Sequence, residues 1–170
     1  MILIFPWAQK MSDGKVNPKN YHRWWEVVAL LKKQLDQERF GTHQISRSGE
    51  RDLGCTKRSD DLSLADIENL ILGCDTWISV DSFGQHMAWF LRKPGVVIFG
   101  QSDPAIFGHS ENINLLKSRK YLRENQFWLW SQCEVNEDAF VSPDVVVAAV
   151  LLSAERRLTA TGKQEYNEKT

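Results

Sequence analysis

Two short runs, Trp77-Ile78-Ser79-Val80 and Val96-Val97-Ile98-Phe99, are separated by enough chain for one helix and a turn. No other feature of the sequence constrains its fold as much. Both runs favour β structure, and Asp81-Ser82 follows the first with side-chain oxygens of the kind that cap helices. Phe83, Met87 and Leu91 then recur at helical spacing, with Gly84 and Ala88 beside them, until Pro94-Gly95 ends the helix. Strand, helix and strand in this order form a βαβ crossover, which makes the two strands parallel. Such units bind ligands beyond the carboxyl end of the strand, where the helix begins. Asp81, Ser82 and His86 lie at that corner.

The rest of the chain supplies the other layers of the same architecture. Ile2-Leu3-Ile4-Phe5, closed by Pro6, is a continuous apolar run suited to a central strand of a buried parallel sheet, and no sheet strand is expected before it. Residues 9–20 are polar and carry Gly14, Asn17 and Pro18, which predicts a loop past that strand's carboxyl end. Lys10, Lys15 and Lys19 lie in this loop. Solvated surface is the default for each lysine; three of them on the ligand side suit an anion. Trp24, Val27, Val28, Leu31 and Leu35 predict an amphipathic helix over residues 21–35. Residues 42–46 read as a short second strand, and 47–60, containing Gly49, Glu50 and Gly54, as a loop or broken helix.

Ser63 and Asp66 form a capping-box variant opening a helix whose Leu64, Ile67 and Ile71 are expected to face the core, with Gly73 closing it. Residues 100–109 are rich in turn formers, 113–116 read as a further short strand, and the aromatic run Phe127-Trp128-Leu129-Trp130 fits no regular element. Ser142-Pro143-Asp144 starts a helix expected to end near Arg156. The expected organisation is one α/β domain over residues 1–157, a parallel sheet flanked by helices, with a loose tail over 158–170.

Composition excludes several classes. With 21 Lys and Arg against 22 Asp and Glu, the net charge of −1 offers no electrostatic footprint for nucleic acid. No apolar run approaches the ~20 residues of a spanning helix, and the amino terminus lacks the basic region and length of a signal peptide, so a cytoplasmic protein is expected. Cys55, Cys74 and Cys133 are odd in number and widely spaced, and His22, His43, His86 and His109 show no metal-ligand spacing, so no metal is expected. Seven Trp are read as core and rim rather than as a stacking platform.

Ser82 and His86, four apart, share the first turn of a helix, with Asp81 beside them at the strand end. A helix start presents backbone N–H groups and a partial positive charge, which suits a phosphate. His86 can donate a hydrogen bond to a phosphate oxygen, with a charge that depends on what is bound. The bland alternative is that Asp81 or Ser82 simply caps the helix and His86 is a satisfied, half-buried histidine. A Ser-His-Asp hydrolase site is disfavoured, because one short turn cannot align its members in relay and G-x-S-x-G is absent.

Residues 75–104 resemble the sugar-nucleotide-binding half of the ADP-heptose:lipopolysaccharide heptosyltransferase family. That pattern reads D-x-x-I-(S/G)-x-D-(S/T)-G-x-x-H-x-A, then an aliphatic segment, K-P, a strand, F-G and a (T/S)-x-P turn. Asp81, Ser82, His86, Ala88, Lys93-Pro94, Phe99-Gly100 and Ser102-Asp103-Pro104 match it in order. Upstream, Lys19-Asn20-Tyr21 is similar to the family's phosphate-contacting Lys-x-Trp, and Gly49-Glu50 to its loop acid at the nucleoside. The resemblance implies a single Rossmann-like domain like the C-terminal half of a GT-B glycosyltransferase. In it Asp81, Ser82, Gly84 and His86 would face the diphosphate of a nucleotide-sugar, which the resemblance implies is ADP-linked. Lys19 would neutralise that diphosphate and Glu50 would contact ribose or base.

Two departures shape the expectation. Phe83 stands where the pattern has glycine, and Gly84 follows one place later, so a bulky side chain is expected to redirect or block the diphosphate. The resemblance also covers only the donor half, so no catalytic residue is assigned. The nucleotide-sugar is substrate rather than cofactor, and glycosyl transfer would call for an acceptor-domain protein partner or a homodimer. The alternative function is a non-catalytic interaction protein that kept the fold, with residues 127–130 or Trp24-Trp25 as its contact surface.

Overall fold

The computed structural model describes residues 1–35 and 41–167, with residues 157–167 described in backbone only. Six strands form one sheet: β1 (Ile2–Phe5), β2 (Thr42–Ser46), β3 (Lys57–Asp60), β4 (Thr76–Val80), β5 (Val96–Phe99) and β6 (Ile113–Leu116). Their spatial order is β3-β2-β1-β4-β5-β6, and every pairing is parallel. This is the doubly wound order in which the direction of winding reverses between β1 and β4.

The continuous apolar runs follow from covering both faces of that sheet. In β1, Ile2 and Ile4 point to one layer while Leu3 and Phe5 point to the other. The first layer holds α1 (Trp24–Gln34) and α5 (Pro143–Asn167), which bring Trp24, Val27, Leu31, Val146 and Val150 onto Ile78, Val80 and Ile98. Tyr21 closes this layer; its hydroxyl donates to the Val141 carbonyl at 3.0 Å. The second layer holds α2 (Leu64–Gly73) and α3 (Phe83–Phe90), which place Ile67, Ile71 and Ala88 against Trp77, Val97 and Phe99. Ser63 caps α2 through the Asp66 amide, as its spacing predicts.

Several expectations are corrected. The segment read as loop or broken helix ends in strand β3, whose Lys57-Arg58-Ser59-Asp60 is polar because it is an edge pairing only with β2. Leu64 is 64% exposed rather than core-facing. The buried face of α3 is Gly84, Gln85 and Ala88; Met87 and Leu91 are half-buried against the same layer, whereas Phe83 is 50% exposed, so the apolar spacing marks the edge of the core side rather than its centre. Trp24 is core and only Trp25 is available as surface. A short helix, α4 (Pro104–Phe107), interrupts the loop after β5. Helix α5 continues to Asn167, past the expected end near Arg156; the expected loose tail falls on residues whose side chains, and for 168–170 also the backbone, lie outside the described residues. Among the described residues no helix is long and apolar enough to cross a membrane.

Candidate functional site

A cleft of about 890 Å³ opens over the carboxyl ends of β1, β2 and β4, at the point where the winding reverses. Lys19, Glu50, Asp81, Ser82, Gly84 and His86, the six residues singled out in the sequence, all line it. Lys10 lines it as well, whereas Lys15 pairs with Asp13 at 3.2 Å.

The corner after β4 is built differently from a simple helix cap. Ser82 occupies the cap position of α3 but makes no side-chain hydrogen bond to the helix; its hydroxyl lies 3.3 Å from Ser79 Oγ. Asp81 turns instead to Gln85, whose Nε2 donates to Oδ1 at 2.7 Å, and to Lys19, whose Nζ is 2.8 Å from Oδ2. The first-turn N–H groups of α3 are therefore left without a side-chain acceptor at the mouth of the cleft. An anion placed there meets these donors and the Lys19 ammonium together.

Gly84 serves packing. A Cβ on it would lie 2.7 Å from Phe5 Cγ, so the bare Cα is what lets α3 settle on the end of β1. Phe83 forms part of the cleft wall and does not close it.

Lys19 is fixed from three sides. Asn17 Oδ1 accepts from its amide at 3.0 Å, Asp81 pairs with its ammonium, and the Trp130 ring lies 4.9 Å below that ammonium. Trp130 belongs to the aromatic run that the sequence could not place. Arg123 stacks on the same ring, with the guanidinium carbon 3.7 Å from the Trp130 centroid. The segment is anchored through Gln126, whose Oε1 accepts from the Asp103 amide at 2.8 Å. Asp103 also caps α4 and pairs with Arg119 at 2.6 Å, and the guanidinium holds its carboxyl below the usual range. The Ser102-Asp103-Pro104 turn thus carries a side wall of the cleft.

The far end of the cleft is formed by the loops after β2 and β3. Glu50 Oε2 accepts from the Arg47 amide at 2.8 Å, closing a tight turn. Asp61, in left-handed backbone conformation with φ 53°, accepts from the Ser48 amide at 3.2 Å, and the Ser48 hydroxyl holds its carboxyl below the usual range. Leu62 and exposed Leu64 add an apolar surface beside these polar groups.

His86 faces a second histidine that the sequence did not connect to it: its Nδ1 lies 3.0 Å from His109 Nε2. Burial, with His109 and Lys19, holds His86 below the ordinary imidazole range despite the opposing pull of Asp81. Among the described residues no group of three or more His, Cys, Asp or Glu could hold a metal ion.

The sequence model of glycosyltransferase family 9 (heptosyltransferase) matches residues 2–133. The chain belongs to this family. Solved heptosyltransferases share the fold of this family 9 chain at low sequence identity. E. coli heptosyltransferase WaaC with ADP is 14% identical, with a TM-score of 0.61, and the match covers 89% of this chain and 43% of WaaC. E. coli ADP-heptose lps heptosyltransferase II is 18% identical with a TM-score of 0.63, over 92% of this chain and 46% of that enzyme. The dodecameric iron-containing heptosyltransferase TibC in complex with ADP-D-β-D-heptose is 15% identical with a TM-score of 0.56, over 96% and 45%. The family 9 chain therefore spans less than half the length of these heptosyltransferases. No curated protein matches it.

Proposed function

We propose that the cleft binds the nucleoside diphosphate portion of a nucleotide-sugar. The observation that carries this reading is the corner where Lys19 meets the uncapped first turn of α3, in an open cleft at the winding reversal. Ammonium, helix N–H groups and the His86 ring converge on one region, and a diphosphate is an anion of the right size and charge for them. Glu50 would accept from ribose hydroxyls or a base amine, with Leu62 and Leu64 against the base. The family's solved members support an adenine nucleotide, since WaaC was solved with ADP and TibC with ADP-D-β-D-heptose.

Glycosyl transfer is the reaction class the family suggests, with the acceptor-binding domain supplied by a protein partner or by a second copy of this chain. Calorimetry with ADP, UDP and GDP tests the binding reading: ADP should bind, and His86→Ala should weaken it. Absence of binding by all three at millimolar concentration would sink the proposal.

The competing reading, a non-catalytic interaction protein, draws on the exposure of Phe127, Trp128 and Leu129. It predicts no nucleotide binding together with a stable protein complex that is lost on Phe127→Ser.

A further inference from the structure

His86 stands on α3 at the cleft, and His109 comes from the loop between α4 and β6. Their rings meet nearly at right angles, 87°, with His86 Nδ1 3.0 Å from His109 Nε2. His109 is clamped in place. Its ring stacks on Trp89 at 4.5 Å and 6°, and its carbonyl accepts from Asn114 Nδ2 at 2.9 Å and from the Asn112 amide at 3.1 Å.

Two imidazole nitrogens at this distance share one proton between them. Two imidazolium ions would each present an N–H to the other, so the pair carries at most one positive charge while the contact is intact. Because His86 spends Nδ1 on this contact, Nε2 is its nitrogen left for the cleft.

We propose that His109 is a positioning residue for His86: it holds the ring by Nδ1, leaves Nε2 for an oxygen of a bound diphosphate, and lets His86 take up one proton as that anion binds. The inference rests on the diphosphate reading above. In the free protein burial, His109 and Lys19 outweigh Asp81 and disfavour the charged form of His86. The charged groups facing the pair are Asp81 after β4, Lys19 in the loop after β1, and Glu111 before β6, which interacts with both His109 and Trp89. A diphosphate adds negative charge on the open side and reverses that balance. The imidazolium then donates Nε2–H to phosphate and Nδ1–H to the lone pair of His109 Nε2, which requires the His109 proton to sit on its own Nδ1. The added proton comes from solvent and returns there when the ligand leaves; no covalent bond to the ligand is made or broken.

Affinity should rise as pH falls through the histidine range, by up to about tenfold per pH unit, the limit for one linked proton. Calorimetry of the full chain with ADP, between about pH 5.5 and 8.5 in buffers of different ionisation heat, counts the protons. The wild type should take up more than His109→Phe, which keeps a ring for Trp89 but offers no acceptor. His109→Gln, which accepts through Oε1, should restore part of the difference. Protonation of ADP itself is common to all three proteins and cancels. A second readout needs no variant: the NMR titration of His86 should move to higher pH when ADP is added. Equal proton uptake in wild type and His109→Phe, or an unmoved His86 titration, overturns the inference while ADP binding keeps the nucleotide reading. No ADP binding by the wild type overturns both.

Discussion

Lys19 Nζ lies 2.8 Å from Asp81 Oδ2, with the two side chains only 19% and 3% exposed. The contact joins the loop after β1 to the loop after β4, so one ion pair ties together the two lips of the cleft.

Removing one partner of such a pair strands the other charge. Lys19→Met should cost about 3–5 kcal/mol in urea denaturation, the usual range for a broken buried pair. Adding Asp81→Asn should recover most of that loss, because the remaining amide still accepts from Gln85. Both proteins should bind ADP at least about tenfold more weakly, the scale of a lost charge-assisted hydrogen bond. Separate stability and binding measurements on the single and double variants check the two statements.

Gly84 is a packing glycine, and a methyl group there meets the Phe5 ring. Gly84→Ala should lower stability by about 1–3 kcal/mol, the range for an overpacked core. Phe5→Leu, introduced with it, should return part of the loss by shortening the opposing side chain. Thermal melts of the two proteins decide this; an unchanged melting temperature in Gly84→Ala would contradict the close approach.

The Tyr21 hydroxyl bonds the Val141 carbonyl just before α5 and pins the entry of that helix to α1. Burial pushes its phenol well above the ordinary range, so it stays a donor at any physiological pH. Tyr21→Phe should cost about 0.5–1.5 kcal/mol, one hydrogen bond, in chemical denaturation.

His43 lies in β2 with Nε2 2.9 Å from Ser59 Oγ of β3, and burial holds it below the ordinary imidazole value of about 6.5. Below that value the unfolded chain binds the proton more readily than the folded one, so stability is complete above it and declines as pH falls through the folded value. His86 is shifted the same way and adds to the decline. Denaturation at about pH 5 and 8 should show a smaller loss for His43→Gln than for the wild type.

How much of this was legible in the sequence depends on what each residue had to advertise. The strands buried on both faces announced themselves as apolar runs: Ile2 to Phe5 and Val96 to Phe99 needed no context. Strand β3 did not, because an edge is marked by charge rather than by apolarity and Lys57-Arg58-Ser59-Asp60 resembles a loop. On α3 the visible stripe of large apolar residues was only a partial guide: Met87 and Leu91 pack against the layer, but Phe83 does not, since the helix packs so closely on β1 that its inner face is Gly84, Gln85 and Ala88. At the site, Asp81, Ser82, His86 and Lys19 could be picked out by type and position relative to strand ends. His109 and Trp130 could not, because each is brought to a cleft residue or the cleft itself by tertiary contacts: the Trp89 stack sets His109 against His86, and Gln126 and Arg123 set Trp130 in the cleft wall. Capping chemistry also failed as a guide, because Asp81 and Ser82 have the right oxygens and spend them elsewhere.

The strand order has a consequence for how the protein comes to be able to bind anything. Of the six strands β1 precedes the others in sequence, yet it lies between β2 and β4, and β4 is synthesised only after the whole β2-β3-α2 excursion. Until β4 slots in beside β1, Asp81 is not brought to Lys19 and the first turn of α3 is not brought onto Phe5. Parallel pairing over such distances forms late, after the loop-closure entropy has been met. Ligand capture should therefore report completion of the central sheet. A nascent or truncated chain ending before α3 should fail to retain nucleotide even where β1 and β2 are already paired.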